Sequence, residues 1–339
     1  MLAACYLGDR RIAVLPAEPD PPGPGQVQVE VAYTGICGTD LHVLHGDMDG
    51  RVSPPAILGH EMSGVVASLG DDVTGWAVGD HVTVVPLTWD GTCPACRAGH
   101  QHVCQNLRVS GVDLPGAMQQ LWNVRAEQLV ALPRDLRLDH AALVEPTAVA
   151  VHDIRRAELV AGDRAVVLGG GPIGVLIAAV ARHEGAEAVI VEIDAQRRSY
   201  VEAMGFAVLD PAVVDMGSWV SEWTGGAGAD VVFEVSGAAA AVLAATDLVR
   251  VRGTVVIVGI HPEPRPVDLN RIFLGELRMV GARVHERRDF ERAVELINAG
   301  VVPADGLITH VAPLTATAEA FAALESGQQM KVLIDLGQD

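Results

Sequence analysis

Lysine is almost absent from this 339-residue sequence: Lys331 is the only one, and every other residue in its Lys+Arg total of 24 is arginine. A phosphate-binding Gly-Lys-Ser/Thr loop, a Schiff-base lysine and a Tyr-x-x-x-Lys reductase site each need a lysine where this chain has none. These three kinds of site are therefore excluded. Lys331 itself precedes a Val-Leu-Ile run near the C-terminus, which predicts a strand.

Positive charge and long apolar runs are also scarce. The formal net charge is −19, whereas nucleic-acid binding needs a basic surface that displaces counterions, so nucleic acid is not an expected partner. Apolar residues make up 50% of the chain, but no run approaches the ~20 apolar residues of a membrane span. The N-terminal segment is interrupted by Asp9, Arg10 and Arg11, unlike a secretory signal. We expect a soluble, cytoplasmic protein with no membrane partner.

Cysteine is sparse and unevenly placed. The five cysteines, an odd number, stand at positions 5, 37, 93, 96 and 104, and the last three fall within a dozen residues. Such spacing is typical of a metal site rather than of a disulfide framework.

The length favours two domains, because one domain usually spans roughly 100–200 residues. Short alternating runs in the first half, such as Val27–Val31 and His81–Val85, lie between turn signals and predict a β-rich domain. From about Val149, buried strands alternate with Ala-rich helices, which predicts βαβ units and a parallel sheet. The clearest of these elements are Arg164–Leu168, Ile173–Glu184 and Ala188–Ile193.

Further apolar strands are predicted to end at Glu234, Ile260 and Val284. The amphipathic helix Arg288–Ala299 then begins a different segment. The middle domain is therefore expected to be an insertion. The predicted boundaries are 1–148 for the first part of one domain, 149–286 for the inserted domain, and 287–339 for the remainder of the first.

The strand that ends at Leu168 runs into a G-x-G-x-x-G fingerprint, which is followed by a helix. Gly169 permits the tight turn, and Gly171 allows the backbone to approach a pyrophosphate. Gly174 allows the helix to pack closely on the sheet. The helix N-terminus, which includes Pro172 and Ile173, supplies positive potential. This pattern predicts a dinucleotide site; a purely structural glycine turn is the alternative.

The second strand of the βαβ unit leads to Glu192, about 20 residues downstream, the position of the acidic residue that binds ribose hydroxyls in such sites. A carboxylate there repels a 2′-phosphate, so NAD is favoured over NADP. Arg197 and Arg198 lie close enough to contact the cofactor and to soften this preference. Alternatively, Arg197 and Arg198 are solvent-exposed residues of a helix.

Two short segments, Cys37–His42 and Gly59–Gly64, combine thiolate, imidazole, hydroxyl and carboxylate groups. Cys37, His60 and Glu61 are candidate zinc ligands by residue type. Residue type alone leaves open that the cysteine and histidine are ordinary core residues.

With the fingerprint, these segments make nearly the whole chain resemble the zinc-containing medium-chain dehydrogenase/reductase family, particularly its sorbitol, butanediol and threonine dehydrogenase branch. The resemblance implies an α/β plus β fold, in which both chain ends form a GroES-like β-barrel catalytic domain and a Rossmann domain, a doubly wound parallel sheet, is inserted between them. The matching elements are Gly35–Asp40, Gly59–Gly64 with Gly70 and Val73, Gly79–Val82, Glu145–Pro146 and the glycine fingerprint.

The resemblance also implies a catalytic zinc held by Cys37 and His60, with Glu61 or Glu145 alternating with water as a further ligand. Asp40 would orient His60 from behind.

Thr39 and His42 fall where the family places its proton relay, and both residue types can pass a proton from a zinc-bound alcohol to solvent. For His42, an ordinary surface histidine is the alternative.

A second cluster matches the family's structural-zinc lobe, Cys-x2-Cys-x2-Cys-x7-Cys, except that aspartate takes the first place. An aspartate oxygen is an acceptable fourth zinc ligand. His100 and His102 compete for that place, and a metal-free lobe is the other alternative. The four candidate ligands are Asp90, Cys93, Cys96 and Cys104.

The implied activity is NAD-dependent oxidation of a secondary hydroxyl in a polyol, vicinal diol, cyclitol or amino alcohol such as threonine. Zinc would lower the pKa of the bound hydroxyl so that hydride can leave. The segment Ser110–Trp122 departs from the Gly-Phe-Ala-Glu-Tyr pattern of relatives. Met118, Gln119 and Trp122 are candidate pocket residues, but as residues of a predicted strand they fit a packing role at least as well.

Two other functions stay open at this point. A zinc-free quinone or enoyl reductase of the same fold would keep the nucleotide motif but not the ligand set, which is intact here. A nucleotide-binding structural or redox-sensing protein would bind zinc without reducing NAD on a broad alcohol panel. For the enzyme we expect a small-molecule alcohol or ketone substrate and a homodimer or homotetramer.

Overall fold

A computed structural model of the chain describes residues 1–337. It divides into two compact units. Unit 1 comprises Met1–Glu145, Glu286–Ala299 and the chain from Leu307 onward, and unit 2 comprises Pro146–His285 and Gly300–Gly306. No helix within residues 1–337 is both long enough and apolar enough to cross a membrane.

This division differs from the expected boundaries at three places. Unit 1 first ends at Glu145 instead of residue 148, and it resumes one residue earlier, at Glu286. Residues 300–306, which we expected in the C-terminal part of the catalytic domain, group with unit 2. Within unit 2, Gly306 lies so close to Met204 that an added Cβ would stand 2.5 Å from its Cγ.

The strands follow the chain in this order: β1 (Leu2–Tyr6), β2 (Ile12–Pro16), β3 (Gln26–Gly35), β4 (Ala56–Ile57), β5 (Glu61–Leu69), β6 (His81–Val84), β7 (Leu87–Thr88), β8 (Arg108–Val109), β9 (Leu121–Arg125), β10 (Leu129–Ala131), β11 (Arg164–Leu168), β12 (Glu187–Val191), β13 (Ala207–Leu209), β14 (Ala229–Glu234), β15 (Val249–Ile257), β16 (Arg278–Gly281), β17 (Ile308–Pro313) and β18 (Lys331–Asp335).

The α-helices are α1 (Gly38–His45), α2 (Pro94–Arg97), α3 (Leu138–Ala141), α4 (Val144–Ala157), α5 (Pro172–His183), α6 (Ala195–Ala203), α7 (Met216–Trp223), α8 (Ala239–Leu248), α9 (Leu269–Gly275), α10 (Arg287–Asn298), α11 (Ala304–Leu307) and α12 (Thr317–Glu325). Short 3-10 turns cover Gln101–Val103, Ala126–Gln128 and Leu314–Ala316.

Unit 1 is built on a largely antiparallel sheet in the order β10-β6-β5-β3-β18-β17, with β9 also paired to β3. Smaller sheets β2-β1-β4 and β7-β8 complete it. The alternation of Val27, Val29 and Val31 in β3 turns these three side chains into the core, where they are at most 1% exposed. The β-rich prediction for the first half is confirmed.

Unit 2 contains a six-stranded sheet in the order β13-β12-β11-β14-β15-β16, and each of its strand pairs is parallel. This is the doubly wound order in which ligands bind outside the carboxyl ends of the strands, where the strand order reverses. The strand predicted at Arg164–Leu168 is confirmed as β11, and the helix predicted at Ile173–Glu184 is α5, displaced by one residue.

Two predicted strand ends were wrong by three residues. β15 stops at Ile257 instead of Ile260. The amides of Val258 and Gly259 both donate to the carbonyl of Glu234, so these two residues do not continue the regular strand pairing. β16 stops at Gly281 instead of Val284, which has a φ of +51° that a strand does not accept.

Candidate active site and metal centres

The catalytic ligands implied by the motifs meet at one end of the main sheet of unit 1. Cys37 follows β3 by two residues, whereas His60 immediately precedes β5 and Glu61 begins it. Because β3 and β5 run antiparallel with Gly35 opposite Glu61, the end of one strand lies beside the start of the other. The sheet therefore brings together residues that are more than twenty positions apart.

Asp40 forms hydrogen bonds with the two loops that carry Cys37 and His60. Its Oδ2 accepts from the amide of Cys37 at 2.9 Å, and its Oδ1 accepts from the amide of Gly59 at 3.3 Å. The carboxylate is fully buried, and its Oδ1 stands 3.8 Å from Nδ1 of His60, too far for a hydrogen bond. Asp40 thus positions the backbone on either side of the site rather than bonding directly to the imidazole.

Donor atoms of Cys37, His60 and Glu61 all lie within 4.8 Å of one another. Nδ1 of His60 is buried and has no hydrogen-bond partner among the described residues. Thiolate, imidazole and carboxylate are the donors that zinc takes in proteins. The orphaned donor atom and the mixed donor set fit a zinc ion.

The charges around these donors also favour a cation. Burial favours neutral His60, but the negative charges of Asp40 and Cys37 outweigh it and raise the pKa of His60 well above its ordinary value. Burial raises the pKa of Asp40 and also that of Glu61, although Lys331 opposes the shift at Glu61. A site this rich in buried acids is stabilised by a bound divalent cation.

Lys331 is a buried charged residue of this site that the sequence argument missed. It begins β18, and its ammonium donates to both carboxylate oxygens of Glu61, at 2.9 and 2.7 Å, and to the carbonyl of Ile36 at 3.2 Å. Burial lowers the pKa of Lys331, but Glu61 and Cys37 outweigh it and raise the pKa. The only signal in the sequence is that the chain's single lysine stands at the start of a predicted strand.

Glu145 lies in the first turn of α4 and is buried. It is not part of the group of donor atoms formed by Cys37, His60 and Glu61, although its negative charge raises the pKa of both His60 and Glu61. Of the two candidate carboxylates, Glu61 is the one with an oxygen atom within 4.8 Å of donor atoms of the cysteine and the histidine.

The two residues implied as a proton relay both lie on α1. Thr39 is half-buried one residue into the helix. His42 is partly exposed, and its Nδ1 lies 2.8 Å from Oδ2 of Asp47. An imidazole that is anchored on one nitrogen and open to solvent has the chemistry of a proton exit.

The second cluster brings together four candidate ligands with donor atoms within 4.8 Å of one another. Neither His100 nor His102 joins this group among residues 1–337. Backbone amides point at the sulfur atoms, as they do toward thiolates: Cys96 N donates to Cys93 Sγ at 3.4 Å and Asn106 N to Cys104 Sγ at 3.3 Å. The members are Asp90, Cys93, Cys96 and Cys104.

The cysteines of this cluster have pKa values shifted in opposite directions. Backbone amides lower the pKa of Cys93, whereas burial and the neighbouring thiols raise the pKa of Cys96 to about 12. Asp90 has its pKa lowered by the amides of Cys93 and Thr92 and by Asn106, so it is a carboxylate. One carboxylate and three cysteines at this spacing fit a closed tetrahedral zinc site.

The glycine fingerprint forms the turn between β11 and α5. Gly169 has a φ of +122°, which a side chain rarely adopts, and a Cβ on Gly174 would stand 1.9 Å from the carbonyl oxygen of Gly169. At Gly171, by contrast, an added Cβ would meet nothing within 4 Å. The turn is tight on the protein side and open at the helix N-terminus, where an anion is stabilised.

Glu192 follows β12 and is buried beside this turn. Its Oε2 accepts from the amide of Gly170 at 2.8 Å and its Oε1 from the amide of Asp194 at 2.8 Å. Arg198 is held by the carbonyl of Glu192 and by Asp210, at 2.7 Å from its Oδ2. Arg197 lies in the first turn of α6, and its backbone amide donates to Oδ1 of Asp194 at 2.8 Å.

Of the three residues predicted to lie in a strand, Trp122 belongs to β9, whereas Met118 and Gln119 in the segment Ser110–Trp122 do not. Only the last two residues of the segment belong to β9, and an isolated bridge pairs Ala3 with Gln119. Gly116 causes the irregular path, since a Cβ there would stand 2.3 Å from the carbonyl oxygen of Leu58. Met118 and Trp122 are members of the unit 1 core, and Gln119 is buried with its amide bonded to Gly116.

The carboxyl ends of β14 and β15 carry a second missed feature. Glu234 is fully buried, and its Oε1 accepts from the hydroxyl of Ser236 at 2.7 Å and the amide of Gly237 at 2.9 Å. Its Oε2 lies 2.8 Å from Nε2 of His261. These contacts fix the loops that follow two strands of the doubly wound sheet, at the edge where dinucleotides bind.

Comparison with known proteins identifies the family of the chain. Residues 23–134 match the alcohol dehydrogenase GroES-like domain, and residues 172–299 match the zinc-binding dehydrogenase family. A protein from Sinorhizobium meliloti 1021 whose crystal structure holds NADP is 32% identical, with a TM-score of 0.92 over 99% of each chain.

Three curated relatives are similar along most of their length. The chain is 46% identical to 2-dehydro-3-deoxy-L-galactonate 5-dehydrogenase of Pseudoalteromonas atlantica, covering 99% of this chain and 98% of the relative. It is 36% identical to sorbitol dehydrogenase of Halalkalibacterium halodurans, covering 94% of each, and 32% identical to L-galactonate-5-dehydrogenase of Escherichia coli K12, covering 88% of each.

The glycine turn predicts a contrast between two substitutions. Gly174→Ala places a methyl group against the carbonyl of Gly169, so we expect a loss of ~2 kcal/mol and a midpoint of thermal unfolding lowered by several degrees. Gly171→Ala enters open space and should leave the midpoint unchanged. Differential scanning calorimetry of both variants is the measurement, and equal midpoints would contradict the close packing of α5.

The cysteine cluster predicts the metal content. Wild-type protein should contain two zinc ions per chain and Cys96→Ser one, because three donors do not close the tetrahedral site. Elemental analysis after dialysis measures this, and Cys5→Ser is the matched control that should keep both ions. A single zinc in the wild type, unaffected by Cys96→Ser, would mean that aspartate in the first place has abolished the site.

Proposed function

We propose that this chain, which belongs to the family of zinc-binding dehydrogenases with a GroES-like domain, oxidises the C5 hydroxyl of a six-carbon sugar acid. The observation that carries the proposal is the 46% identity, along 99% of the chain, to an enzyme named for oxidation at C5 of a 2-dehydro-3-deoxy-galactonate. A second relative is also named for C5 of galactonate. Sugar acids of this kind fall within the polyol class that the motifs implied.

Family membership confirms the broader expectations. The fold is a GroES-like domain with a Rossmann-type parallel sheet, and the chain is a zinc- and nicotinamide-dependent oxidoreductase of the polyol type. A zinc-free reductase and a binding protein without turnover gain no support, because the curated relatives cited above are dehydrogenases and the donor group of Cys37, His60 and Glu61 is intact.

For the reaction we assign the catalytic zinc to Cys37 and His60, with Glu61 or Glu145 as the exchangeable carboxylate. Zinc, when bound, would lower the pKa of an alcohol hydroxyl so that hydride can pass from its carbon to the nicotinamide of NAD. Asp40 holds the backbone of both ligand loops in place.

The proton from the hydroxyl leaves through the two relay residues on α1. Thr39 accepts it on its hydroxyl oxygen and passes its own proton on to His42, which Asp47 orients and which releases a proton to solvent. The structural zinc is assigned to the four-donor cluster that includes Asp90.

We assign NAD as the preferred cofactor on the position of Glu192 beside the glycine turn. Its carboxylate is buried and fixed by two backbone amides, so it presents a stationary negative charge where a 2′-phosphate would have to lie. Arg198 is already engaged by Asp210 and by backbone carbonyls. The glycines of the turn, with Pro172 and Ile173, complete the proposed pyrophosphate site.

We also infer a homo-oligomer, a dimer or a tetramer. On unit 2, α9 exposes Leu269, Phe273 and Leu274, which are 74%, 77% and 67% exposed. Within the described residues, β16 pairs only with β15 and leaves its other edge open. An apolar patch beside an open strand edge is suited to a second copy of the chain. The cysteine donors need a reducing compartment, which supports the cytoplasm.

A substrate panel tests the proposed activity. NAD reduction should be most efficient with 3-deoxy hexonates and galactonate, with kcat/KM about tenfold or more above that for sorbitol, 2,3-butanediol or threonine. His60→Ala should abolish turnover and the loss should coincide with loss of one zinc. Highest efficiency with threonine, or a His60→Ala variant with normal rate and metal content, would overturn the proposal.

Cofactor choice gives a second test. Wild-type protein should show a higher kcat/KM with NAD than with NADP, and Glu192→Ala should narrow that ratio because it removes the charge that repels a 2′-phosphate. Glu187→Ala, on the exposed start of the same strand, is the control that should leave the ratio unchanged. Equal wild-type efficiency with both cofactors would contradict the assignment.

A further inference from the structure

Unit 1 contains a cavity that is separate from the candidate metal site. Its volume is about 460 Å³, within the range of roughly 300–1,000 Å³ in which proteins bind small ligands. All of its lining residues lie between Met1 and Gln128, in the first part of unit 1. Its lining includes none of the donor residues Cys37, His60 and Glu61 and no residue of α1. The cavity is therefore not part of the proposed active site.

The most buried part of the cavity wall is polar but uncharged. The lining residues that are at least nine-tenths buried are Ser110, Gln119, Trp122 and Val124. The side-chain amide of Gln119 is held in place, since its nitrogen donates to the carbonyl of Gly116 at 2.7 Å. Among residues 1–337, the carbonyl oxygen of this amide and the hydroxyl of Ser110 have no hydrogen-bond partner. Polar atoms of buried side chains without a protein partner are suited to bind a ligand.

Further hydroxyl and amide groups line the cavity. Thr88 in β7 is partly buried, and its hydroxyl also has no hydrogen-bond partner in the described part of the chain. Gln28 and Asn123 lie opposite each other in the β3–β9 ladder, and Nε2 of Gln28 donates to Oδ1 of Asn123 at 3.1 Å. Both amides also donate to the carbonyl of Asp20. The wall thus presents fixed donors and acceptors of the kind that hydroxyl groups bind.

Charged side chains line only the exposed part of the cavity. They are Arg108, Arg125, Glu18 and Asp20. Two side-chain charges of each sign give the opening no net preference for an anion or a cation. Met1 also lines the cavity, and its ammonium donates to the carbonyl of Ala17 at 3.1 Å. Because the most buried lining residues carry no charge, an ionic ligand would lose its hydration there without a compensating partner. These features favour a neutral ligand.

Apolar side chains complete the wall, among them Ile57, Leu114 and Trp122. A sugar ring presents hydroxyl groups at its edge and C–H groups on its faces, so it matches a wall that combines amides, hydroxyls and apolar surface. We propose that this cavity is a second binding site, which takes a neutral sugar in its ring form. The inference does not depend on the proposed oxidation of a sugar acid.

The cavity borders the loop that carries the candidate metal-binding histidine. Ile57 and Gln119 both line it. The segments that contain them are joined by backbone hydrogen bonds, from Gly116 to the carbonyl of Ile57 at 2.8 Å and from Ala117 to the carbonyl of Gly59 at 2.9 Å. A ligand in contact with both segments restrains this pairing, which ends one residue before the histidine.

Binding is measured by isothermal titration calorimetry with the methyl glycosides of glucose, galactose and mannose, which stay in the ring form. At least one should bind at one site per chain with a Kd of about 1 mM or tighter. Ser110→Ala and Thr88→Val each remove a hydroxyl that has no protein partner. Each should weaken binding about threefold to tenfold and leave the midpoint of thermal unfolding unchanged. Ser199→Ala, which removes a hydroxyl on α6 in unit 2, is the matched control and should bind as the wild type does.

Amide hydrogen exchange locates the bound sugar independently. The amides of Gly116 and Ala117 should exchange more slowly when the glycoside is bound, because it restrains their hydrogen bonds. His60→Ala removes a candidate metal ligand but no lining residue of the cavity, so it should show the same protection and the same Kd. Loss of binding in His60→Ala would place the sugar at the metal site and overturn the inference. Absence of saturable binding across the panel, or binding that neither hydroxyl variant weakens, would overturn it as well.

Discussion

The antiparallel pairing of β3 with β5 on one side and β18 on the other is the constraint on which the active site depends. It sets the end of β3 beside the starts of both neighbours, so Cys37, His60–Glu61 and Lys331 meet at one edge. Each of these segments would be an ordinary strand terminus alone. Because a slip of one residue turns every side chain to the opposite face, the buried valines of β3 fix the register and hence the donor geometry.

Electrostatics explains why this edge cannot be left without a cation. Asp40, Glu61 and the thiol of Cys37 are crowded into a region from which water is largely removed, and one ammonium balances only part of their charge. The negative charges of Asp40 and Cys37 also raise the pKa of His60. In the cluster around Cys93 the thiols differ, since amide donors lower the pKa of Cys93 whereas burial and the neighbouring thiols raise the pKa of Cys96.

Local sequence patterns were sufficient for parts of the site that lie within a few residues of each other. The glycine turn, the helix after it and the Cys-x2-Cys spacing each concern one segment, so their geometry follows from adjacent residues. Lys331 was beyond such reasoning because it is 270 residues from Glu61. The segment before β9 was misjudged for a related reason: Gly116 follows the backbone of Leu58, a contact that no alternation of residue types records.

The separation of Lys331 from Glu61 along the sequence also bears on how the site forms. Unit 2 is inserted between the two parts of unit 1, so β18 is the last strand to be synthesised. It docks through backbone bonds on both sides of the site, from Ile36 to Val332 and from Leu336 to Ala32. The final strand therefore does more than complete the sheet, because it brings the ammonium of Lys331 to the buried carboxylate of Glu61.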